Sequence, residues 1–364
     1  MRKKILFVFS RLYYGGAERQ FRELVTHMDK KKFDLIIVET GNDEDAGLVR
    51  QFEQQNQDIR FYYLKDTDFI SNSKKKFARE AIFIRYILQM YHVIKKEKPD
   101  LILAYNGLEI SGSWLFCRLG AKVVFSERES GNRGKRKLKR YKWLFRSVDK
   151  IICNSKEAQR YYAENGISSE YIPNGIQCCD RLPLPDKDWY IILVPARITR
   201  VKNQKIVLNA LSLCENKNYK VIFIGKQEDK EYLEELKQLA QNLNLEQKIE
   251  FLNFTNDIQT MYRNCNLVIL PSRMEGCTNV LLESYLYGRP CLVSNIIMNR
   301  DVANERQEFF ETDDAKGLSR LIDMCRQKKE SEWRDILESN HQYVIDNFSV
   351  EQMVRHYENI FDRL

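Results

Sequence analysis

The chain has 364 residues, of which 43% are hydrophobic and 30% charged, and a formal net charge of +8. That length suits two domains, the apolar share supplies two cores, and the cationic excess points to an anionic partner such as a nucleotide, a nucleic acid or an anionic lipid. Nine scattered cysteines without a C-x-x-C pair exclude a zinc or disulfide framework and fit a reduced chain, and no apolar run approaches the roughly 18 residues of a membrane span.

In chain order, the first ten residues mimic a signal peptide. Their apolar core, Ile5 to Phe9, is shorter than the roughly 7 residues an h-region needs, and Arg11 follows at once. The segment therefore reads as a buried first strand, and the chain is expected to be cytoplasmic with only peripheral membrane contact. Tyr14-Gly15-Gly16-Ala17-Glu18-Arg19 comes next. Gly15 and Gly16 either let the backbone approach a ligand or make a plain tight turn. Their spacing is not the G-x-G-x-x-G of dinucleotide sites. Phe21, Leu24, Val25 and Met28 then fall at i, i+3, i+4, i+7, the stripe of an amphipathic helix.

Further strands are expected at Leu35–Val38, Leu101–Ala104, Val123–Ser126 and Ile151–Asn154. Asp66-Thr67-Asp68 has the letters D-x-D, but it follows a tyrosine-rich stretch in a surface loop. With no His/Cys/carboxylate cluster at ligand spacing elsewhere, no metal site is expected. Ser126-Glu127-Arg128-Glu129-Ser130 leaves the third of these strands as a charged cluster, facing either a cleft or open solvent. Arg133 to Arg146 carries eight cations and no acid, with Leu138, Tyr141 and Phe145 as a helical stripe joined by Trp143 and Leu144. A basic helix with aromatics suits an anionic membrane surface or a lipid diphosphate; a solvated helix and an RNA-contacting patch are the competing readings.

The stretch from Ile172 to Asp188 holds three of the seven prolines and marks a domain boundary. Beyond it the opening pattern repeats. Strand Tyr190–Val194 leads into Pro195-Ala-Arg197-Ile-Thr-Arg-Val-Lys202-Asn, and Val207, Ala210, Leu211 and Cys214 form the next helical stripe. Strands are expected at Val221–Gly225, Ile249–Leu252 and Leu267–Leu270. Alternating strand and helix in both halves predict an α/β chain of two Rossmann-like, doubly wound parallel-sheet domains, with ligands at the carboxyl ends of strands in the cleft between them. The expected division is residues 1–175, a linker at 176–188, a second domain at 189–346, and a tail helix at 347–364 opened by Ser349 and returning to the first domain.

Pro271-Ser-Arg-Met-Glu-Gly-Cys-Thr-Asn-Val-Leu-Leu-Glu283 sets Glu275 and Glu283 eight positions apart. Glu275 falls where a strand hands over to a helix, and Gly276-Cys277-Thr278 opens that helix near Asn279. Free backbone N–H groups at a helix start suit a diphosphate. One carboxylate can then hold a ribose diol and the other sugar hydroxyls, with phosphates between them.

This block resembles the E-x7-E signature of the retaining glycosyltransferases of family 4, which have the GT-B fold, and the resemblance covers nearly the whole chain. It implies that Arg197 and Lys202 lie against the donor diphosphate, that Glu275 holds the donor sugar and that Glu283 holds the ribose. It also implies that Gly15, Gly16, Gly276, Cys277, Thr278 and Asn279 line the donor site, and that backbone near Phe254, in Phe251-Leu-Asn-Phe254, reads the base. Arg133, Lys135, Arg136, Lys139, Arg140 and Trp143 fall where the first domain meets acceptor and membrane. Many relatives carry a histidine after the Val123–Phe125 strand. Here the four histidines are His27, His92, His341 and His356, so Glu127 or Glu129 is left to occupy that space.

The implied activity is transfer of a hexose or N-acetylhexosamine from a nucleotide sugar, UDP-linked before GDP-linked, to a growing glycan or a polyprenyl-diphosphate-linked acceptor. It would need no cofactor and no metal, and would serve capsule, O-antigen or another surface polysaccharide at the inner membrane face. A nucleotide-sugar 2-epimerase of the same fold and a non-catalytic partner subunit are the alternatives. A nucleic-acid partner is not expected, because no recognition motif accompanies the basic run.

Overall fold

The computed structural model describes residues 2–9, 16–40, 46–65, 67, 76–105, 112–128, 139, 142–145, 148–185, 189–253, 255, 257–275 and 278–364. The chain divides into two compact units. The first is Met1–Gly175 together with Val350–Leu364, and the second is Ile176–Ser349.

The first unit holds a seven-stranded sheet: β1 (Lys3–Phe9), β2 (Phe33–Glu39), β3 (Arg60–Tyr63), β4 (Leu101–Tyr105), β5 (Lys122–Glu127), β6 (Lys150–Cys153) and β7 (Glu170–Tyr171). Its spatial order is β3-β2-β1-β4-β5-β6-β7, and every pairing is parallel. Parallel strands covered on both faces read as continuous apolar runs. In β1 the alternation sorts the run: Ile5, Phe7 and Phe9 join one core, and Leu6 and Val8 join the other. Helix Gly16–His27 and the last helix, Val350–Arg363, share the first of these cores. Val350, Met353, Val354, Tyr357, Ile360 and Phe361 are all buried there, each worth about 1.5–3 kcal/mol.

The second unit holds β8 (Tyr190–Pro195), β9 (Tyr219–Ile224), β10 (Ile249–Leu252), β11 (Leu267–Leu270), β12 (Cys291–Ser294) and β13 (Phe309–Phe310). The order is β10-β9-β8-β11-β12-β13, again all parallel. The stripe Val207, Ala210, Leu211 and Cys214 is buried as its spacing predicts, under helix Gln204–Leu213. Among the described residues, no helix is long and apolar enough to cross a membrane.

Three expectations are corrected. Residues 176–185 are not a free linker: Ile176 N–H donates to Phe348 O at 2.7 Å, Arg289 Nη2 donates to Pro183 O at 2.6 Å, and Asn266 Nδ2 donates to Pro185 O at 3.1 Å. These bonds fasten the stretch to the second unit. Asn347 and Phe348 end the preceding helix, Glu330–Phe348, because Ser349 is extended at φ −66° and ψ 155°; the tail helix starts one residue later. Leu144 and Phe145 do not belong to an outward greasy stripe. They are buried with Phe125, Ile151 and Tyr162, and Phe145 meets the rings of Phe125 and Tyr162 edge-on.

Candidate active site

Open parallel sheets bind ligands where the strand order reverses, because the loops leaving the two neighbouring strands diverge there. In the second unit that point lies between β8 and β11. Both loops leaving it carry predicted site residues.

The loop after β8 is held from three sides. Ala196 N–H donates to Ile224 O at 2.9 Å. Gly225, at φ 153°, passes so near that a Cβ there would stand 2.3 Å from Ala196 O, which excludes any side chain. Gln204 Nε2 donates to Arg197 O at 2.9 Å. A 3₁₀ turn, Arg200–Lys202, then closes on Asn203 in the left-handed region at φ 53°, ψ 36°, a conformation asparagine tolerates. The Asn203 amide donates to Thr312 O at 2.9 Å and locks the turn.

The loop after β11 is tied to this one and to β12. Arg273 N–H donates to Val201 O at 2.9 Å, and Ser294 Oγ donates to Ser272 O at 2.5 Å. Together the two loops bring Lys202 Nζ to 2.6 Å from both Oε1 and Oε2 of Glu275. The Glu275 side chain is 8% exposed and that of Lys202 15%. Each charge compensates the other in a place where neither reaches much water.

Arg197 behaves differently. Its Nη1 donates to Glu228 Oε2 at 2.9 Å, but its side chain is 60% exposed. An exposed pair is worth about 1 kcal/mol at most, so this guanidinium turns toward another anion at small cost.

Glu283 lies one turn into helix Asn279–Leu286, half-buried, and accepts the Tyr262 hydroxyl at 3.0 Å. Tyr262 is fully buried. Burial first, and the neighbouring Glu283 carboxylate second, push its phenol well above the ordinary range, so it remains a neutral O–H donor. Its ring stacks on Tyr287 with centroids 4.8 Å apart, and its carbonyl accepts from Arg289 Nε at 2.7 Å. Arg289 is itself wholly buried, with Nη1 lacking a hydrogen-bond partner. That burial, helped by the charge of Arg181, lowers its affinity for the proton.

Of the other predicted donor residues, Thr278 is buried and donates its hydroxyl to Met298 O at 3.2 Å, while Asn279 opens the helix half-buried. Gly16 opens helix Gly16–His27 in the first unit, exposed, with nothing within 4 Å of where a Cβ would be. Gly15, Phe254, Gly276, Cys277, Arg133, Lys135, Arg136 and Arg140 lie outside the described residues, as does Glu129. Lys139 is exposed, and Trp143 is 60% exposed.

Glu127, the last residue of β5, is 1% exposed and accepts the Tyr162 hydroxyl at 2.9 Å. Arg128, beside it, is also buried. It donates to Ser126 Oγ at 3.0 Å, to Asn174 Oδ1 at 2.9 Å and to the Tyr357 hydroxyl at 2.5 Å, and lies 4.6 Å over the Tyr105 ring. Tyr262, Arg289 and Ser294 are the site-supporting residues that the sequence alone does not reveal. Each acts on a partner more than 20 positions away, which no local spacing announces.

The architecture is GT-B, the two-unit arrangement of a large class of glycosyltransferases. The crystal structure of Anabaena Alr3699/HepE in complex with UDP and glucose matches with a TM-score of 0.80 over 100% of both chains, at 18% identity. Two family models divide the sequence: Glycosyltransferase Family 4 matches residues 14–178, and Glycosyl transferases group 1 matches residues 181–358. The chain belongs to this family, and it is an enzyme of the hexosyltransferase kind. Among curated relatives, the O-antigen biosynthesis glycosyltransferase WclY of Escherichia coli is 26% identical over 61% of this chain and 63% of its own length. A Campylobacter jejuni α-1,4-N-acetyl-D-galactosaminyltransferase, named for a GalNAc-extended diNAcBac-PP-undecaprenol, is 22% identical over 88% of both chains.

Proposed function

We propose that this enzyme moves a hexose or N-acetylhexosamine from a nucleotide sugar, UDP-linked in preference to GDP-linked, to a lipid-linked or growing glycan, with retention of anomeric configuration. The observation that carries the reading is the Lys202–Glu275 pair at the sheet's switch point, with Glu283 one turn into the next helix. A cation and two carboxylates so placed suit the three parts of a nucleotide sugar. Lys202 and Arg197 neutralise the charge that grows on the departing diphosphate. Glu275 holds hydroxyls of the sugar, and Glu283 holds the ribose diol.

In the transfer, the bond from the anomeric carbon to the phosphate oxygen breaks, and the acceptor hydroxyl oxygen bonds to that carbon on the same face. The proton of that hydroxyl passes to the departing phosphate oxygen. No imidazole is required. No metal is required either, because Arg197 and Lys202 supply the positive charge.

UDP and glucose in the Anabaena structure support the donor class, and the undecaprenyl diphosphate in the Campylobacter enzyme's name supports the acceptor class. The exposed Trp143 and Lys139, within the run of eight cations, support docking on an anionic membrane, and so work at the inner face during surface-polysaccharide assembly.

A donor screen tests the reading. UDP, GDP and ADP sugars are added in EDTA and the melting temperature is followed. One nucleotide series is expected to raise it, and Lys202→Ala and Glu283→Ala to abolish the rise. No shift with any series overturns the proposal. Retention is checked by NMR of the product's anomeric proton.

A further inference from the structure

We infer that Asn299 is a positioning residue for the sugar end of the donor site: through the Ser294 hydroxyl it fixes the loop that carries Glu275. The inference rests on the donor-site reading above and deepens it.

The loop leaves β11 where the ladder to β12 stops. Leu270 is the last residue paired, opposite Val293, and Pro271 brings no N–H to continue. Beyond that point the Ser294 side chain takes over. Its Oγ donates to Ser272 O at 2.5 Å and accepts from Asn299 Nδ2 at 3.1 Å, while the same amide nitrogen donates to Ser294 O at 2.8 Å. A hydroxyl has one hydrogen. The Asn299 amide nitrogen offers donors only, so that hydrogen is left to Ser272 O. Ser272, Ser294 and Asn299 are all 0% exposed, so bulk water does not reach these bonds. Asn299 Oδ1 has no hydrogen-bond partner, and the residue acts here through its N–H groups.

The short helix that bears Asn299, Ile297–Arg300, also holds the far end of the loop. A threonine at a helix start ordinarily caps its own helix. Thr278 makes no such bond to helix Asn279–Leu286, and its hydroxyl goes instead to Met298 O at 3.2 Å. Residues 294–299 thus grip the chain at Ser272, before Glu275, and at Thr278, after it.

Residues assigned to the nucleotide have other supports. Arg197 O accepts from Gln204, and Glu283 accepts from Tyr262. Loss of the Asn299–Ser294 link therefore loosens Glu275 and leaves Arg197 and Glu283 in place. Hydrogen bonds weaken steeply once their geometry is lost, so the contact to the sugar hydroxyls is the one that suffers.

Calorimetric titration of the full chain tests this. UDP and the UDP sugar selected by the screen are titrated into wild type, Asn299→Ala, Ser294→Ala and Ser294→Thr; GDP and its sugar replace them if the screen selects guanosine. Both alanine variants are expected to bind the sugar nucleotide on the order of tenfold more weakly than wild type, the loss of one hydrogen bond to a charged group. Their affinity for the free nucleotide is expected to stay within about twofold of wild type, because its supports are untouched. Ser294→Thr keeps the hydroxyl and is expected to recover most of the loss.

Wild-type affinity for the sugar nucleotide in both alanine variants overturns the inference. So does an equal fall for free and sugar-bearing nucleotide, which marks the two residues as general supports of the unit, and so does a Ser294→Thr chain no better than Ser294→Ala. In each case nucleotide binding by wild type leaves the donor site standing. A wild type that binds neither compound overturns the donor-site reading and the inference with it. Should Asn299→Ala not fold, the contrast between Ser294→Ala and Ser294→Thr decides.

Discussion

The Tyr262 hydroxyl donates to Glu283 Oε2 at 3.0 Å, from a ring that is fully buried and held on its other side by Tyr287. A carboxylate fixed in this way presents its acceptor lone pairs in one orientation. Tyr262→Phe keeps the ring and removes the bond, a change of about 0.5–1.5 kcal/mol, or roughly 2- to 10-fold. Nucleotide affinity is expected to fall by that factor. The fall should vanish when 2′,3′-dideoxy nucleotides are titrated, since they present no diol to Glu283.

Lys202 should matter more than Arg197. Lys202→Met is expected to lower kcat/KM by about 10²–10³-fold, the usual loss when one preorganised donor to a developing anion is removed. Arg197→Ala, starting from an exposed side chain, is expected to cost about tenfold. Steady-state kinetics with the selected donor check both. An Arg197 effect equal to or larger than that of Lys202 would count against the assignment.

Arg289 links the boundary stretch to helix Ile258–Asn264, which carries Tyr262, donating to Pro183 O and to Tyr262 O. Arg289→Ala leaves a cavity and two carbonyls without their donor, and is expected to destabilise the second unit by about 3–5 kcal/mol. Arg289→Met, which refills the space, should recover part of that loss. Urea midpoints measure both, and a midpoint unchanged in Arg289→Ala would refute the linkage.

Glu18, in the first turn of helix Gly16–His27, supplies a pH dependence. Burial raises its carboxyl above the ordinary 4.5, opposed more weakly by its own backbone N–H and by Arg22. The folded chain therefore holds this proton more tightly than the unfolded chain. Stability contributed by this group falls as pH rises between the unfolded and the raised value, and stays lower above it. Glu18→Gln is expected to remove that slope. It should be more stable than wild type near pH 7, with the two urea midpoints converging at about pH 4.

The strands that build the two sheets were legible because buried parallel strands are apolar on both faces. β1, β8 and β11 announce themselves as Ile5–Phe9, Tyr190–Val194 and Leu267–Leu270. β3 was not legible: Arg60–Tyr63 is an edge strand, half-exposed and rich in tyrosine, and it reads like a loop. The candidate residues Lys202 and Glu275 were legible by type and position, since a cation and a carboxylate after strand ends are visible in one dimension. Their direct contact was not, because Lys202 and Glu275 are joined across 73 positions by a sheet order that spacing does not encode. The same limit hid Tyr262 behind Glu283. The burial of Glu127 was hidden for the opposite reason: a charged letter at a strand end suggests solvent, and the Tyr162 hydroxyl that meets it lies 35 positions on. Leu144 and Phe145 sit in a run so basic that the core contribution of two residues was masked by their neighbours.

The second unit, Ile176–Ser349, is one uninterrupted segment, whereas the first needs both ends of the chain. Gly175 shows how closely those ends are fitted, since a Cβ there would stand 2.8 Å from Val350 Cα. A chain leaving the ribosome from its N-terminus therefore exposes every residue of the second unit before the first can be finished. Until Val354, Tyr357 and Phe361 emerge, the face of the first sheet that they cover stays open. A chain lacking Val350–Leu364 would carry a complete second unit attached to an unfinished first one, a target for chaperones and proteases.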